Sequence, residues 1–382
     1  MKLLIVTTGN QFTPSMLYKE NYIIKAAIEN GDEVLVLASE YTYVGGKPLK
    51  VSSDENIEGY VVKRLRYKMI VNGLITRKVR VCRNYFDEVL KFGPDLIFFN
   101  CAQVYDINYC KKIKEALPDV KMVMDFSTKF INSARNWFSR EILHKIIYRK
   151  WIQNALPYID RVFYISVESK EFANDIYRIP LEMMEHNNLP GALIGKAEKD
   201  ALKGKIYKKH GFSKETILFV HSGKIGRLKR TAELLRGFRT VEDDRFKLLI
   251  IGSLEEVVRT EIMELVSQDS RVEYLGFLSG AELTQYLCAA DIYLQPGTIS
   301  QTSQTAICCG CPIAFTSVPT NLELFNKNGF FIDADSEIVE MFRAISRDSS
   351  ILKNMSDNSY GLAEKELDYH TLYRKILLAV GL

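Results

Sequence analysis

The chain has 382 residues, 47% hydrophobic and 26% charged, an ordinary globular composition that excludes a disordered or fibrous chain. Its formal net charge of +4 is too mild to argue for a nucleic-acid partner, and none is expected. The positive excess lies in front: residues 1–190 hold 27 Lys and Arg against 22 Asp and Glu, which suits an anionic lipid surface, an acidic acceptor, or simply scattered solvated lysines.

The opening run Leu3-Leu4-Ile5-Val6 enters a polar loop at Asn10-Gln11 and reads as a first β-strand rather than a signal segment. No run of about 18 apolar residues predicts a membrane-spanning helix. Seven cysteines without framework spacing point to a reduced, cytoplasmic setting. Tyr18–Asn30 predicts a helix stopped by Gly31-Asp32, followed by a strand over Glu33–Ala38. Val61–Leu65 reads as an edge strand, Arg77–Lys91 as a helix, and Leu96–Asn100, Lys121–Met124 and Val162–Ile165 as further strands. Near-continuous apolar runs between helices predict a parallel sheet covered on both faces.

The turn-rich stretch His186-Asn187-Asn188-Leu189-Pro190-Gly191 reads as a linker, after which the alternation restarts. Strands are predicted at Thr216–His221, Phe246–Ile251, Val272–Leu275, Asp291–Gln295, Pro312–Phe315 and Phe330–Ile332. Helices are predicted between them at Thr231–Arg239, Glu255–Val266, Gly280–Ala289 and Ser300–Cys308. Tyr360–Ala379 reads as one long helix. The expected organisation is an α/β chain of two doubly wound Rossmann-like domains, residues 1–188 and 189–358, facing a central ligand cleft. A C-terminal helix, residues 359–382, is expected to pack back on the first domain.

The glycine pattern of dinucleotide binding, the P-loop and the hydrolase elbow are all absent. What stands out is His221-Ser222-Gly223-Lys224-Ile225-Gly226-Arg227-Leu228-Lys229-Arg230, which follows the first strand of the second domain and leads into a helix. Its glycines permit close backbone approach, and Lys224, Arg227 and Lys229 suit a diphosphate; the competing reading is a solvated basic loop. The second stretch runs from Gln295 to Thr305. Ser300 is a candidate helix N-cap, and Ser300, Thr302, Ser303 and Thr305 offer hydroxyls to phosphate or ribose oxygens, with ordinary capping as the alternative.

Residues 215–335 resemble the donor domain of glycosyltransferase family 4. Gly223-Lys224-Ile225 with Lys229 is similar to that family's donor loop. Leu248–Gly252, Val272–Phe277, Asp291–Pro296 and Cys309–Pro312 resemble the segments that follow it, with Gly252 and Phe277 at donor-contact positions. The first half resembles the acceptor domain only through its opening strand and Gly31-Asp32-Glu33-Val34. The resemblance implies GT-B architecture and a retaining glycosyltransferase. Such an enzyme moves a sugar from a nucleotide-diphosphate donor to a glycan or lipid-linked acceptor, without metal or other cofactor, in bacterial surface polysaccharide synthesis. Lys224 and Lys229 would stabilise the departing diphosphate, with Arg227 helping.

Two departures stand out. No glutamate occurs from Gln295 to Pro312, and Thr305 stands where the family carries one; no histidine follows the strand Lys121–Met124. Asp125 there either takes a proton from the acceptor or is a turn or N-cap carboxylate. These gaps also motivate the alternative of a non-catalytic nucleotide-sugar-binding or partner subunit. Cys308, Cys309 and Cys311 lack the spacing of a metal site and read as small packing residues. Arg135–Ile152 interleaves Trp137, Phe138, Ile146 and Trp151 with Arg140, Lys145, Arg149 and Lys150. It reads either as a peripheral contact with the inner face of a membrane or as a helix packed on the sheet with its cations in water.

Overall fold

The computed structural model describes residues 1–14, 16–44, 47–51, 53–70, 72–297 and 300–382. The chain divides into two units: residues 1–188 with 372–382, and residues 189–371.

Among the described residues the first unit carries ten strands: β1 (Lys2–Thr7), β2 (Glu33–Ser39), β3 (Tyr41–Val44), β4 (Lys47–Lys50), β5 (Glu55–Ile57), β6 (Tyr60–Leu65), β7 (Leu96–Phe99), β8 (Lys121–Phe126), β9 (Arg161–Tyr164) and β10 (Met184–His186). Eight of them form one sheet in the order β10-β9-β8-β7-β1-β2-β6-β5, while β3 and β4 make a separate antiparallel hairpin. Every pairing in the large sheet is parallel except β5 with β6. Leu3–Val6 and Leu96–Phe99 are wholly buried, as strands covered on both faces must be.

The edge position expected for Val61–Leu65 is corrected: β6 pairs with β2 on one side and β5 on the other. The helix expected over Arg77–Lys91 is two helices, Gly73–Val79 and Tyr85–Phe92. Arg80 and Asn84, with φ of 55° and 58°, take the left-handed region between them and break the hydrogen-bond ladder. Arg135–Ile152 holds a π-helical stretch, Phe138–Tyr148, continued as an α-helix over Arg149–Ala155.

The second unit holds β11 (Ile217–Ser222), β12 (Phe246–Ile251), β13 (Val272–Gly276), β14 (Ile292–Gln295), β15 (Ile313–Phe315) and β16 (Gly329–Phe331), all parallel, in the order β13-β12-β11-β14-β15-β16. Alternation along β11 sends Ile217 and Phe219 into one apolar layer and Leu218 and Val220 into the other. The strand order reverses beside β11, so the loops after β11 and β14 part there, the usual place for a ligand in an open α/β sheet.

The single long helix expected at Tyr360–Ala379 is replaced by Ile351–Glu366 and Tyr369–Val380. Asp368 makes the break, because its carboxylate accepts the N–H groups of His370 and Thr371 and starts a new helix. Residues 359–371 therefore lie with the second unit, and residues 372–382 with the first. Among the described residues no helix is long and apolar enough to cross a membrane.

Candidate functional site

The loops after β11, β12 and β13 are laced together by their backbones. Gly223 N–H donates to Ile251 O (3.0 Å), Ile225 N–H to Ser253 O (2.8 Å), Glu255 N–H to Ile225 O (2.9 Å) and Gly252 N–H to Gly276 O (2.7 Å). Gly252, at φ 133°, has no room for a side chain, since an added Cβ would overlap the carbonyl oxygen of Gly223. Gly297, after β14, is equally confined by the backbone of Leu228 and Lys229. Arg230 ties this cluster to the next loops by donating to Pro296 O and Ile332 O, each at 3.1 Å.

The two lysines of the loop differ sharply. Lys229 is 7% exposed, its ammonium lies against Gly223, and burial pushes its pKa down to about 8. Lys224 has a side chain 77% exposed and pairs with Glu255 at 3.2 Å. Arg227 is exposed on the short 3₁₀ turn Arg227–Lys229. His221, at the head of the stretch, is committed to structure. Its ring nitrogens bond Leu294 O (2.7 Å) and the Thr231 hydroxyl (2.9 Å), and burial pushes its pKa down to about 4.

Around the N-terminus of the helix Gln301–Cys308 the hydroxyls separate into two groups. Ser300 has the extended backbone of an N-cap, but its hydroxyl makes no capping bond and donates to Gln295 Oε1 (3.3 Å), which also accepts from the Tyr293 hydroxyl (2.7 Å). Thr302 is half-buried and its hydroxyl also lies at the Tyr293 hydroxyl. Thr305 is buried and back-bonds to Gln301 O (3.3 Å), so its hydroxyl serves its own helix. Ser303 is buried with its hydroxyl unsatisfied among the described residues. Thr298 and Ile299 lie outside the described residues. Phe277 stands 77% exposed just beyond β13. Cys308, Cys309 and Cys311 are buried in the apolar layer behind this helix.

Asp125 belongs to the first unit. It lies inside β8, which runs through Phe126, so the turn and N-cap readings are corrected. Its carboxylate is buried and paired with Lys19 at 2.5 Å; Lys19 also donates to Asn187 O at 3.0 Å. Burial raises the Asp125 pKa and Lys19 opposes the rise. Glu20 is buried beside this pair, its pKa raised chiefly by desolvation and further by Asp125.

Sequence reasoning missed Lys19 and Glu255. Lys19 reads as a helix-end surface lysine, although it sits one residue from the buried carboxyl of Glu20. Glu255 carries one signal: it follows β12, the strand beside β11, and its carboxylate packs against Gly226.

Residues 214–348 match the family model described as Glycosyl transferases group 1. No curated protein matches the chain. Among solved structures, HepE of Anabaena in complex with UDP is similar over the whole of both chains at 15% identity, with a TM-score of 0.70. Sucrose-phosphate synthase of Thermosynechococcus elongatus is similar at 11% identity over 98% of this chain and 97% of its own, with a TM-score of 0.68. WaaG, a glycosyltransferase involved in lipopolysaccharide biosynthesis, is similar at 12% identity over all of both chains, with a TM-score of 0.65. At such identities these likenesses speak to fold. The chain has the GT-B fold, and within it residues 214–348 form a glycosyl transferases group 1 domain.

Proposed function

We propose that the protein is a retaining glycosyltransferase that binds a nucleotide-diphosphate sugar on its second unit and transfers the sugar, without a metal, to a glycan or lipid-linked acceptor in surface polysaccharide synthesis. The observation that carries the reading is the buried Lys229 ammonium set against Gly223, in a loop cluster whose glycines leave no side chain between backbone and ligand. As the anomeric C–O bond breaks, charge builds on the diphosphate, and a cation already desolvated interacts with it more strongly than one in water. Lys224 and Arg227 supply further positive charge from the exposed side of the same loop, and the hydroxyls of Ser300 and Thr302 face the polar Tyr293–Gln295 group. Asp125 is assigned to the acceptor hydroxyl, with Lys19 beside it opposing the rise that burial gives its pKa.

The first unit also offers a surface for peripheral membrane contact. Ile131, Trp137 and Phe138 are 70%, 71% and 65% exposed, with Arg135 and Arg140 alongside, a composition that suits an anionic interface.

Incubation with a panel of radiolabelled nucleotide sugars tests the transferase reading. It expects slow release of free sugar from one nucleotide class without acceptor, reduced about a hundredfold in Lys229→Ala. No release and no transfer from any donor would favour the non-catalytic alternative, which the back-bonded Thr305 in place of a glutamate also supports.

A further inference from the structure

The first unit contains a cavity of about 480 Å³ at the carboxyl ends of β1, β7 and β8, where Asn10, Asn100 and Asp125 reach its lining. Three cations also line it: Lys78, Arg80 and Arg135. Lys78 and Arg80 share one segment and Arg135 comes from another far away in sequence, and among the described residues the one lining carboxylate, Asp125, is already paired with Lys19. Much of the remaining wall is hydroxyl and amide.

Of the three, Arg80 is held in place by its surroundings, while Lys78 and Arg135 are exposed. Arg80 sits at φ 55°, a conformation non-glycine residues avoid, and its guanidinium donates to Gln103 O at 3.3 Å. The Tyr148 hydroxyl donates to Lys78 O at 2.7 Å and fixes the turn that carries both residues. His144, which bonds the Tyr177 hydroxyl and the Ser133 hydroxyl, stays neutral through burial and through the nearby charges of Lys78 and Arg80.

A polar pocket with this excess of positive charge fits neither an acyl chain nor a neutral sugar alone. Cations converging beside hydrogen-bonding groups match a phosphate, which accepts from a guanidinium fork and an ammonium together. We propose that this cavity binds the phosphate of a phosphorylated acceptor sugar, placing the sugar's hydroxyls toward Asp125. This rests on the transferase reading above, in which Asp125 serves the acceptor. The phosphate belongs either to a free sugar phosphate or to the diphosphate bridge of a lipid-linked sugar.

Titration calorimetry of the full chain tests it, with glucose 6-phosphate, glucose 1-phosphate and a farnesyl-diphosphate-linked sugar as probes, glucose as the neutral control and UDP as the donor-site control. The expected result is at least one phosphorylated probe binding tenfold or more tighter than glucose. The double variant Lys78→Ala/Arg135→Ala loses that margin while binding UDP within twofold of wild type and keeping the first unit's calorimetric melting transition, which reports that the altered unit is folded. Preference for the free sugar phosphates supports a soluble acceptor, and preference for the farnesyl-linked probe supports a lipid-linked one. Glucose binding as tightly as every phosphorylated probe, no probe binding while UDP does, or a double variant with unchanged affinity would each overturn the proposal. Failure of every nucleotide and nucleotide sugar to bind the wild type would instead strike the transferase reading, whatever the phosphorylated probes do, and the acceptor assignment with it.

Discussion

Lys229 and Lys224 share one loop, and their environments assign them unequal work. The Lys229 ammonium is largely desolvated, so in the empty site it is held at an electrostatic cost. In the unfolded chain the group titrates near 10.5, and in the folded protein near 8. Between those values the folded state binds fewer protons, so the destabilising contribution is complete below pH 8 and is relieved as pH climbs toward 10.5. Replacement by Met should therefore stabilise the empty protein at pH 7 by on the order of 1–3 kcal/mol while removing donor binding, a combination that denaturant melts and nucleotide titration read together. In the wild type, UDP affinity should fall as pH rises through about 8, where Lys229 loses its charge. Lys224→Ala, at an exposed side chain already paired with Glu255, should lower turnover by less, about three- to tenfold in a donor-hydrolysis assay.

At the scale of elements, the donor site is an arrangement of loops held by backbone bonds. Gly252→Ala places a methyl group on the Gly223 carbonyl and should cost about 2–4 kcal/mol, or displace the loop and abolish nucleotide binding; a thermal melt with and without UDP separates the two. Most strands were legible because buried parallel strands are continuous apolar runs, as in Leu3–Val6 and Leu248–Ile251. The helix Lys196–His210 escaped notice because only Ile206 along it is buried, which leaves no apolar stripe to read. The donor loop was legible because its glycines and cations are contiguous. The cations of the first unit were not, because Lys78 and Arg135 are distant in sequence and meet only through the fold. The exposed segment around Trp137 is testable at this scale too. Trp137→Glu with Phe138→Glu should abolish co-sedimentation with vesicles rich in anionic lipid without shifting the melting temperature by more than about a degree, since both side chains are exposed.

At the scale of the whole molecule, the chain leaves its first unit at residue 188 and returns to it at residue 372. Leu372, Tyr373, Ile376 and Val380 are buried, and the Tyr373 hydroxyl donates to Asp32 at 2.8 Å. Removing residues 372–382 should lower the first unit's stability by several kcal/mol, at about 1.5–3 kcal/mol for each large apolar side chain exposed, as an upper bound. The second unit, complete without that segment, should retain its melting transition and its response to nucleotide. Calorimetry of the truncated chain, read as two transitions, checks this.

The central claim is that the second unit binds a nucleotide-diphosphate sugar through Lys229. It is tested most directly by the melting temperature of the full chain against UDP-, GDP-, ADP-, TDP- and CMP-sugars, in wild type and in Lys229→Ala. One nucleotide class should raise the wild-type midpoint in proportion to the logarithm of its concentration and leave Lys229→Ala unmoved. No shift with any nucleotide at millimolar concentration, or an equal shift in the variant, would contradict the account.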